Sequence, residues 1–196
     1  MAFLVLDIEM TGPEPGWNEI IQIGAELFDD NWHSLGTYLQ NVYPENEEAF
    51  SVKSEEVHGL SLADLEDAPM IYDVLPEFEK WIKKLNAGKP SLNNVIICGQ
   101  SVINDINFLR FAYRNEKMKW GFSNKMLDLH TVSYLFFQIL EKNGKTVPRS
   151  LSLGSVAGYF GFEREEETHN ALEDARLTAK CFKEFFKLID QVKVVW

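Results

Sequence analysis

The sequence predicts one α/β domain spanning residues 1–196, on three observations. Three strand-like apolar runs open the chain with only short turns between them. A fourth run, Asn94 to Cys98, lies between segments of helical period. No internal repeat or low-complexity linker divides the 196 residues, a length that suits one sizeable core.

The first run, Phe3 to Leu6 with Ile8, reads as a buried strand, because a short apolar stretch bounded by a turn signal is the core-strand pattern. Thr11-Gly12-Pro13 ends it. Glu19 to Phe28 reads as a second strand, closed by Asp29-Asp30-Asn31, and His33 to Tyr43 as a third, closed by Pro44. Links this short cannot make parallel crossovers, so an antiparallel meander is expected. The acid-rich stretch 44–69 has Val57, Leu60, Leu62 and Leu65 as anchors and predicts short helical turns capped by Ser54 and Ser61. Apolar residues at 71, 74, 75, 78, 81, 82 and 85 predict a helix over Ile71 to Leu85.

Gly99 breaks the fourth strand. Ile103 to Tyr113 follows as a helix, with Ile103, Ile106, Phe108, Leu109 and Tyr113 as packing residues. Met126 to Leu129 reads as a short strand or its edge, and Thr131 to Leu140 as an apolar helix. After a Gly- and Lys-bearing loop, Ser150 to Phe160 is a weaker helix and Ala171 to Ile189 a strong one.

Composition is ordinary for a globular chain. No run approaches the ~18 apolar residues of a membrane span. The start, MAFLVLDIE, lacks a basic n-region and a small-residue cleavage site. A cytoplasmic protein without membrane association is expected, with Cys98 and Cys181 as buried, reduced thiols. The net charge of -11 runs against the basic footprint of nucleic-acid binders. Its distribution is uneven: residues 1–79 hold 18 acidic residues against one basic, Lys53, whereas the remainder holds 12 acidic against 18 basic. That asymmetry fits an acidic metal-holding half facing a basic substrate-holding half, and equally a solvated acidic face.

Asp7 and Glu9 stand two apart on the first strand, so their side chains share one face. Burying two adjacent anions is costly unless a cation pairs with them. A divalent ion with oxygen ligands, Mg²⁺ or Mn²⁺, meets that need. Taken alone, a solvent-facing pair at a strand end is the simpler reading. Asp105 and Asp174 each lie in a first helical turn, where dipole complementarity alone explains an acid. His169 precedes Asp174 by five residues, a step of about 500° that leaves the two about 140° apart on a continuous helix. They converge only if His169 lies before the helix, as it does with Asn170 as N-cap.

In this order Asp7-Ile8-Glu9-Met10-Thr11-Gly12, the Gly99 to Leu109 segment and His169-Asn170-Ala171-Leu172-Glu173-Asp174-Ala175 resemble the three motifs of the DEDDh, or DnaQ-like, 3′–5′ exonucleases. EIIQIGAELF, VHGLS, MLDLHT and SLGSVAGYFGF agree, and the resemblance runs from about residue 3 to 187. It implies an RNase H-like fold, a mixed central sheet of three antiparallel strands continued by parallel ones and flanked by helices. It implies Asp7, Glu9, Asp105 and Asp174 as ligands of two divalent cations, Mg²⁺ or Mn²⁺, and His169 as general base. It also implies 5′-mononucleotide release from single-stranded or frayed DNA or RNA 3′ ends. Met10 and the Gly-x-Ser-Val-x-x-Asp-x-x-Phe-Leu form of the second motif look like the oligoribonuclease branch. His58-Gly59-Leu60 and the compact His motif look like the DnaQ branch. With little chain after the last helix, a dedicated proofreading subunit is not the favoured expectation.

Met10 and Thr11 are the expected substrate-binding residues, with Met10 and nearby aromatics packing against terminal bases, as single-strand binders stack bases on aromatic rings. His58 and His130 read as local structural residues and His33 as a surface residue. Asp128 is either an acid near the site or a strand-end residue. The alternative function is a non-catalytic regulatory or binding module on the same fold, although a retired site has no physical reason to keep four repelling carboxylates. A metal phosphomonoesterase for small nucleotides is a third reading. Basic residues Arg110, Arg114, Lys117, Lys119 and Lys125 follow the second motif, and Lys142, Lys145 and Arg149 mark the later loop. Neutralising that loop trio is expected to flatten the salt dependence of single-strand binding, because each lost phosphate contact lowers the slope. An unchanged slope in a fluorescence-anisotropy titration would remove the loop from the interface.

Overall fold

β1 (Ala2–Met10) sorts its side chains onto the two faces of a sheet and so separates two cores. Ala2, Leu4, Leu6 and Ile8 enter one core, Phe3 and Val5 the other, and Asp7 and Glu9 continue the second face. These coordinates are a computed structural model that describes residues 1–86, 88, 91–164 and 170–189.

β2 (Ile20–Phe28) and β3 (Ser34–Asn41) complete the meander, while β4 (Val95–Gly99) and β5 (Met126–Asp128) lie on the other side of β1. The sheet order is β3-β2-β1-β4-β5, with β1-β2 and β2-β3 antiparallel and β1-β4 and β4-β5 parallel. This is the mixed sheet expected from the sequence. Connections follow the chemistry of their length: short turns join the antiparallel pairs, and helices cross between the parallel ones.

Among the helices, α1 (Val52–His58) and α2 (Leu62–Leu65) fill the acid-rich stretch, and α3 (Ile71–Leu85) has the predicted bounds. α4 (Ile103–Asn115), α5 (Leu129–Lys142), α6 (Leu153–Tyr159) and α7 (Ala171–Ile189) follow. Residues of α3 and α4, including Val74, Phe78, Ile106 and Leu109, fill one core. Those of α5, α6 and α7, including Phe137, Val156, Cys181 and Phe182, fill the other.

Three local expectations are corrected. Ser54 lies inside α1, and Ser51 holds the cap position. The Ser51 N–H bonds the Thr11 carbonyl at 2.8 Å, which fixes the chain there and starts the helix early. Ser61, by contrast, forms a full capping box with Asp64. Ile103 is exposed, because Val102 immediately before it takes the buried place at the start of α4. The weaker helix begins at Leu153 rather than Ser150, since the Ser152 hydroxyl accepts the Ser155 N–H and sets the cap. Cys98 and Cys181 are buried and unbridged, as expected, and burial pushes the Cys181 thiol up to about 12.

α7 lies across β1 and β2, and two residues of β2 set how closely it approaches. Gly24 is opposite Asp7 in the strand register. A Cβ at Gly24 would lie 2.1 Å from the Ala171 carbonyl carbon and the Leu172 nitrogen. Two positions earlier, opposite Glu9, the buried Gln22 accepts the Ala171 N–H on Oε1 at 2.9 Å. Its Nε2 donates to Asn41 Oδ1 at 2.8 Å, so the amide is held from both ends. The start of the last helix is thereby docked by an otherwise orphaned N–H and by the absence of one methyl group. Gly24→Ala is expected to force α7 off the sheet and cost about 3 kcal/mol, at the upper end of ordinary overpacking. Urea denaturation measures it, and a loss under ~0.5 kcal/mol would mean that the helix yields freely.

Candidate active site

The acidic centre forms where the sheet's central strand meets the first turns of its last helix. β1 directs Asp7 and Glu9 onto the face that α7 covers, and Asp174 comes down from α7. Carboxylate oxygens of Asp7, Glu9 and Asp174 lie within 4.8 Å of one another. Asp105 reaches the same pocket from the first turn of α4. Its Oδ1 accepts the Ile8 N–H at 3.1 Å, which ties it to the strand between the two other acids. Met10, Gln100, Asn104, Ser152, Gly154 and Arg164 complete the walls. The pocket is open to solvent on one side and has a cavity volume of about 500 Å³, within the range of a small-molecule cleft.

Burial and mutual repulsion both act against ionisation here. Burial, then Asp105, Glu9 and Asp174, push the Asp7 carboxyl well above the usual carboxylate range, with Arg164 opposing. Glu9 rises to about 8, through burial first and then the charges of Asp174 and Asp105. Asp105 rises to about 7 through burial, although its own N–H and that of Ile8 pull the other way. Glu9 Oε1 is buried with no hydrogen-bond partner among the described residues. Hard oxygen donors clustered at this range, one of them unsatisfied, fit a divalent cation. Among the described residues lining the pocket, the one cation is Arg164. Its Nε donates to Asp174 Oδ1 at 2.7 Å and its Nη2 to Asp174 Oδ2 at 2.8 Å.

The structure thus brings Asp7, Glu9, Asp105 and Asp174 together. His169 lies outside the described residues. The next residue, Asn170, accepts the Leu172 and Glu173 N–H groups on Oδ1 at 3.1 and 3.3 Å, as an N-cap does. Met10 is half-buried and lines both the acidic pocket and a more apolar neighbouring groove that includes Val57 and His58. Thr11 is placed elsewhere than expected. It is fully buried, and its hydroxyl accepts the Glu19 N–H at 3.0 Å, so it closes the strand end instead of facing the pocket.

Asp128 caps α5 by accepting the His130 N–H, and its Oδ1 also accepts the Ser101 N–H at 2.9 Å. That bond holds Ser101 at a positive φ of 52° in the turn before α4. The Asp128 charge also acts on Asp105, so both halves of its open reading contain part of the answer. His58 is buried and accepts the Leu60 N–H on Nδ1, a local structural role, while His33 is an exposed partner of Asp29.

Gln22, Gly24 and Arg164 were missed at the sequence level. A polar residue inside the apolar run Ile20 to Phe28 was a visible signal for Gln22. Arg164 is hidden in a run of glutamates, where a lone basic residue reads as a surface charge.

A sheet of this order with an acidic cluster beneath its last helix defines an RNase H-like nuclease fold. The chain superposes on the nuclease domain of 3′hExo, a DEDDh family member bound to rAMP, with a TM-score of 0.77 at 18% identity, covering 100% of this chain and 96% of that one. E. coli Exonuclease I in complex with a dT13 oligonucleotide gives 0.78 at 18% identity, covering 97% and 43%. The sequence pattern of the exonuclease family matches residues 4–182, and the chain belongs to that family. It is 30% identical over 193 residues to the DNA polymerase III PolC-type of Thermotoga petrophila, covering 98% of this chain. The chain spans only 12% of that relative's length. It is 26% identical over 196 residues to the 3′-5′ DNA exonuclease Cap18 of Escherichia coli, covering 98% of this chain and 95% of that protein.

The raised carboxyls give stability a defined pH dependence. Unfolded, Glu9 releases its proton near 4.5; folded, it holds that proton to about 8. Between those values the folded state binds more protons, so its stability falls as pH rises. In chelator, wild type is therefore expected to lose stability relative to Glu9→Gln from pH 4.5 to pH 8, and saturating Mg²⁺ or Mn²⁺ should reverse the order at pH 8. Thermal melts across this range measure the difference, and a difference independent of pH would contradict the assignment.

Proposed function

We propose that this domain is a divalent-metal-dependent 3′–5′ exonuclease that hydrolyses single strands or frayed 3′ ends to 5′-mononucleotides. The observation that carries the reading is the convergence of Asp7, Glu9 and Asp174 within 4.8 Å, with Asp105 tied to Ile8 in the same pocket. Two cations, Mg²⁺ or Mn²⁺, held by Asp7, Glu9, Asp105 and Asp174, would supply charge stabilisation for an in-line displacement at phosphorus. The chain's own part is to fix the donors in place. β1 sets the spacing of Asp7 and Glu9, the Ile8 N–H orients Asp105, and Gln22 and Gly24 seat the helix that carries Asp174.

His169 is assigned as the general base that takes the proton of the attacking water, a task suited to an imidazole titrating near ~6.5. In sequence it directly precedes Asn170, the cap of the helix that carries Asp174. Met10, on the wall shared with the apolar groove, is assigned to contact the terminal nucleotide. Single-stranded DNA or RNA 3′ ends are the substrate class, consistent with the rAMP and dT13 ligands of the solved relatives.

The test uses 5′-labelled single-stranded DNA, RNA and dinucleotides with Mg²⁺, Mn²⁺ or chelator. A ladder shortening from the 3′ end is expected with metal, absent in chelator, and reduced at least ~10²–10³-fold in Asp7→Ala, as for loss of one preorganised charge-stabilising group. Absence of shortening on every substrate with either metal would instead favour a non-catalytic module.

A further inference from the structure

Arg164 engages both oxygens of Asp174, the acid that α7 contributes to the centre. A guanidinium fork on a carboxylate uses the in-plane lone pairs that a metal ion would take. Two cations on the same oxygens would also repel across a poorly screened pocket. The pair is asymmetric in its freedom. The Asp174 side chain is 4% exposed on a docked helix, whereas that of Arg164 is 24% exposed on an irregular segment after α6. Gly161 in that segment has a φ of 78°, and Phe162 is anchored by its N–H to the Ala157 carbonyl at 3.0 Å. The arginine therefore has a fixed root and a long side chain with a route to solvent, and the aspartate has none.

We propose that Arg164 is a built-in counter-cation of the acidic centre, displaced from Asp174 when a divalent ion binds. The proposal rests on the metal-centre reading above. It makes Arg164 a positioning residue: it holds Asp174 and the segment after α6 against the cluster, and its release sets how readily the centre loads. Metal affinity is then the intrinsic affinity of the carboxylates reduced by the cost of opening a bidentate ion pair.

Calorimetric titration of the full chain with Mn²⁺ tests this in wild type, Arg164→Gln and Arg164→Lys, paired with thermal melts in EDTA and in saturating Mn²⁺. Removing the competitor is expected to tighten Mn²⁺ binding roughly tenfold in Arg164→Gln, the worth of a typical charged hydrogen-bonded contact. Arg164→Lys keeps the charge without the fork and should fall between. In EDTA, Arg164→Gln should melt roughly 2–4 °C below wild type, as for a modest loss in a chain of this size. In saturating Mn²⁺ that gap should close, because the displaced arginine no longer contributes. Equal Mn²⁺ affinity in wild type and Arg164→Gln, or a melting gap that persists with Mn²⁺, overturns the displacement alone. No Mn²⁺ binding in any of the three proteins overturns the metal centre and the displacement with it.

Discussion

At one end of β1 the chain keeps Asp7, Glu9, Asp105 and Asp174 in a single pocket, where burial favours the neutral forms of Asp7, Glu9 and Asp105 and the neighbouring acids add to this at Asp7 and Glu9. Nothing about such a cluster assembles spontaneously, and the surrounding structure is arranged to oppose its dispersal. The strand pleat places Asp7 and Glu9 side by side. A backbone N–H holds Asp105 between them, and a fork from Arg164 holds Asp174. Buried charge left unpaired is among the most costly features a fold can carry. A centre built this way stores a demand for cations, which is the physical basis for reading it as a metal site.

That demand explains features of the fold that packing alone does not. A glycine in the middle of a buried central strand weakens it, and a glutamine there has to find partners for its amide. Both occur in β2, opposite Asp7 and Glu9, and both act on the start of α7. The strand gives up side-chain packing at Gly24 so that Asp174 can come within reach of β1. Gln22 then satisfies one of the N–H groups that a helix start leaves open. The cores on either side of the sheet are ordinary apolar packing by comparison.

The chain belongs to the exonuclease family, and beside its clustered acids Arg164 supplies the counter-charge on Asp174. Its pairing links the segment after α6 to the helix that carries Asp174. A single guanidinium thus connects charge balance in the pocket with the seating of that segment.

The amino-acid sequence by itself determined the order of elements, because apolar period and turn residues are local properties. The bounds of α3 and α7 and the antiparallel meander were legible for that reason. The acids were legible too, since Asp7 and Glu9 alternate with apolar residues and Asp105 and Asp174 sit in motif contexts. What the sequence could not determine depends on contacts between distant residues. Ser51 takes the N-cap position of α1 with its N–H bonded to the Thr11 carbonyl, and the Thr11 hydroxyl is taken up by the Glu19 N–H away from the pocket. Ile103 is exposed because Val102 takes its place in the core. Gln22 meets Ala171 across 149 residues of chain, and Arg164 reads as one more surface charge until the fold sets it against Asp174. Only the tertiary structure decided these points, because hydrogen bonds and ion pairs depend on separation in space, which local pattern does not encode.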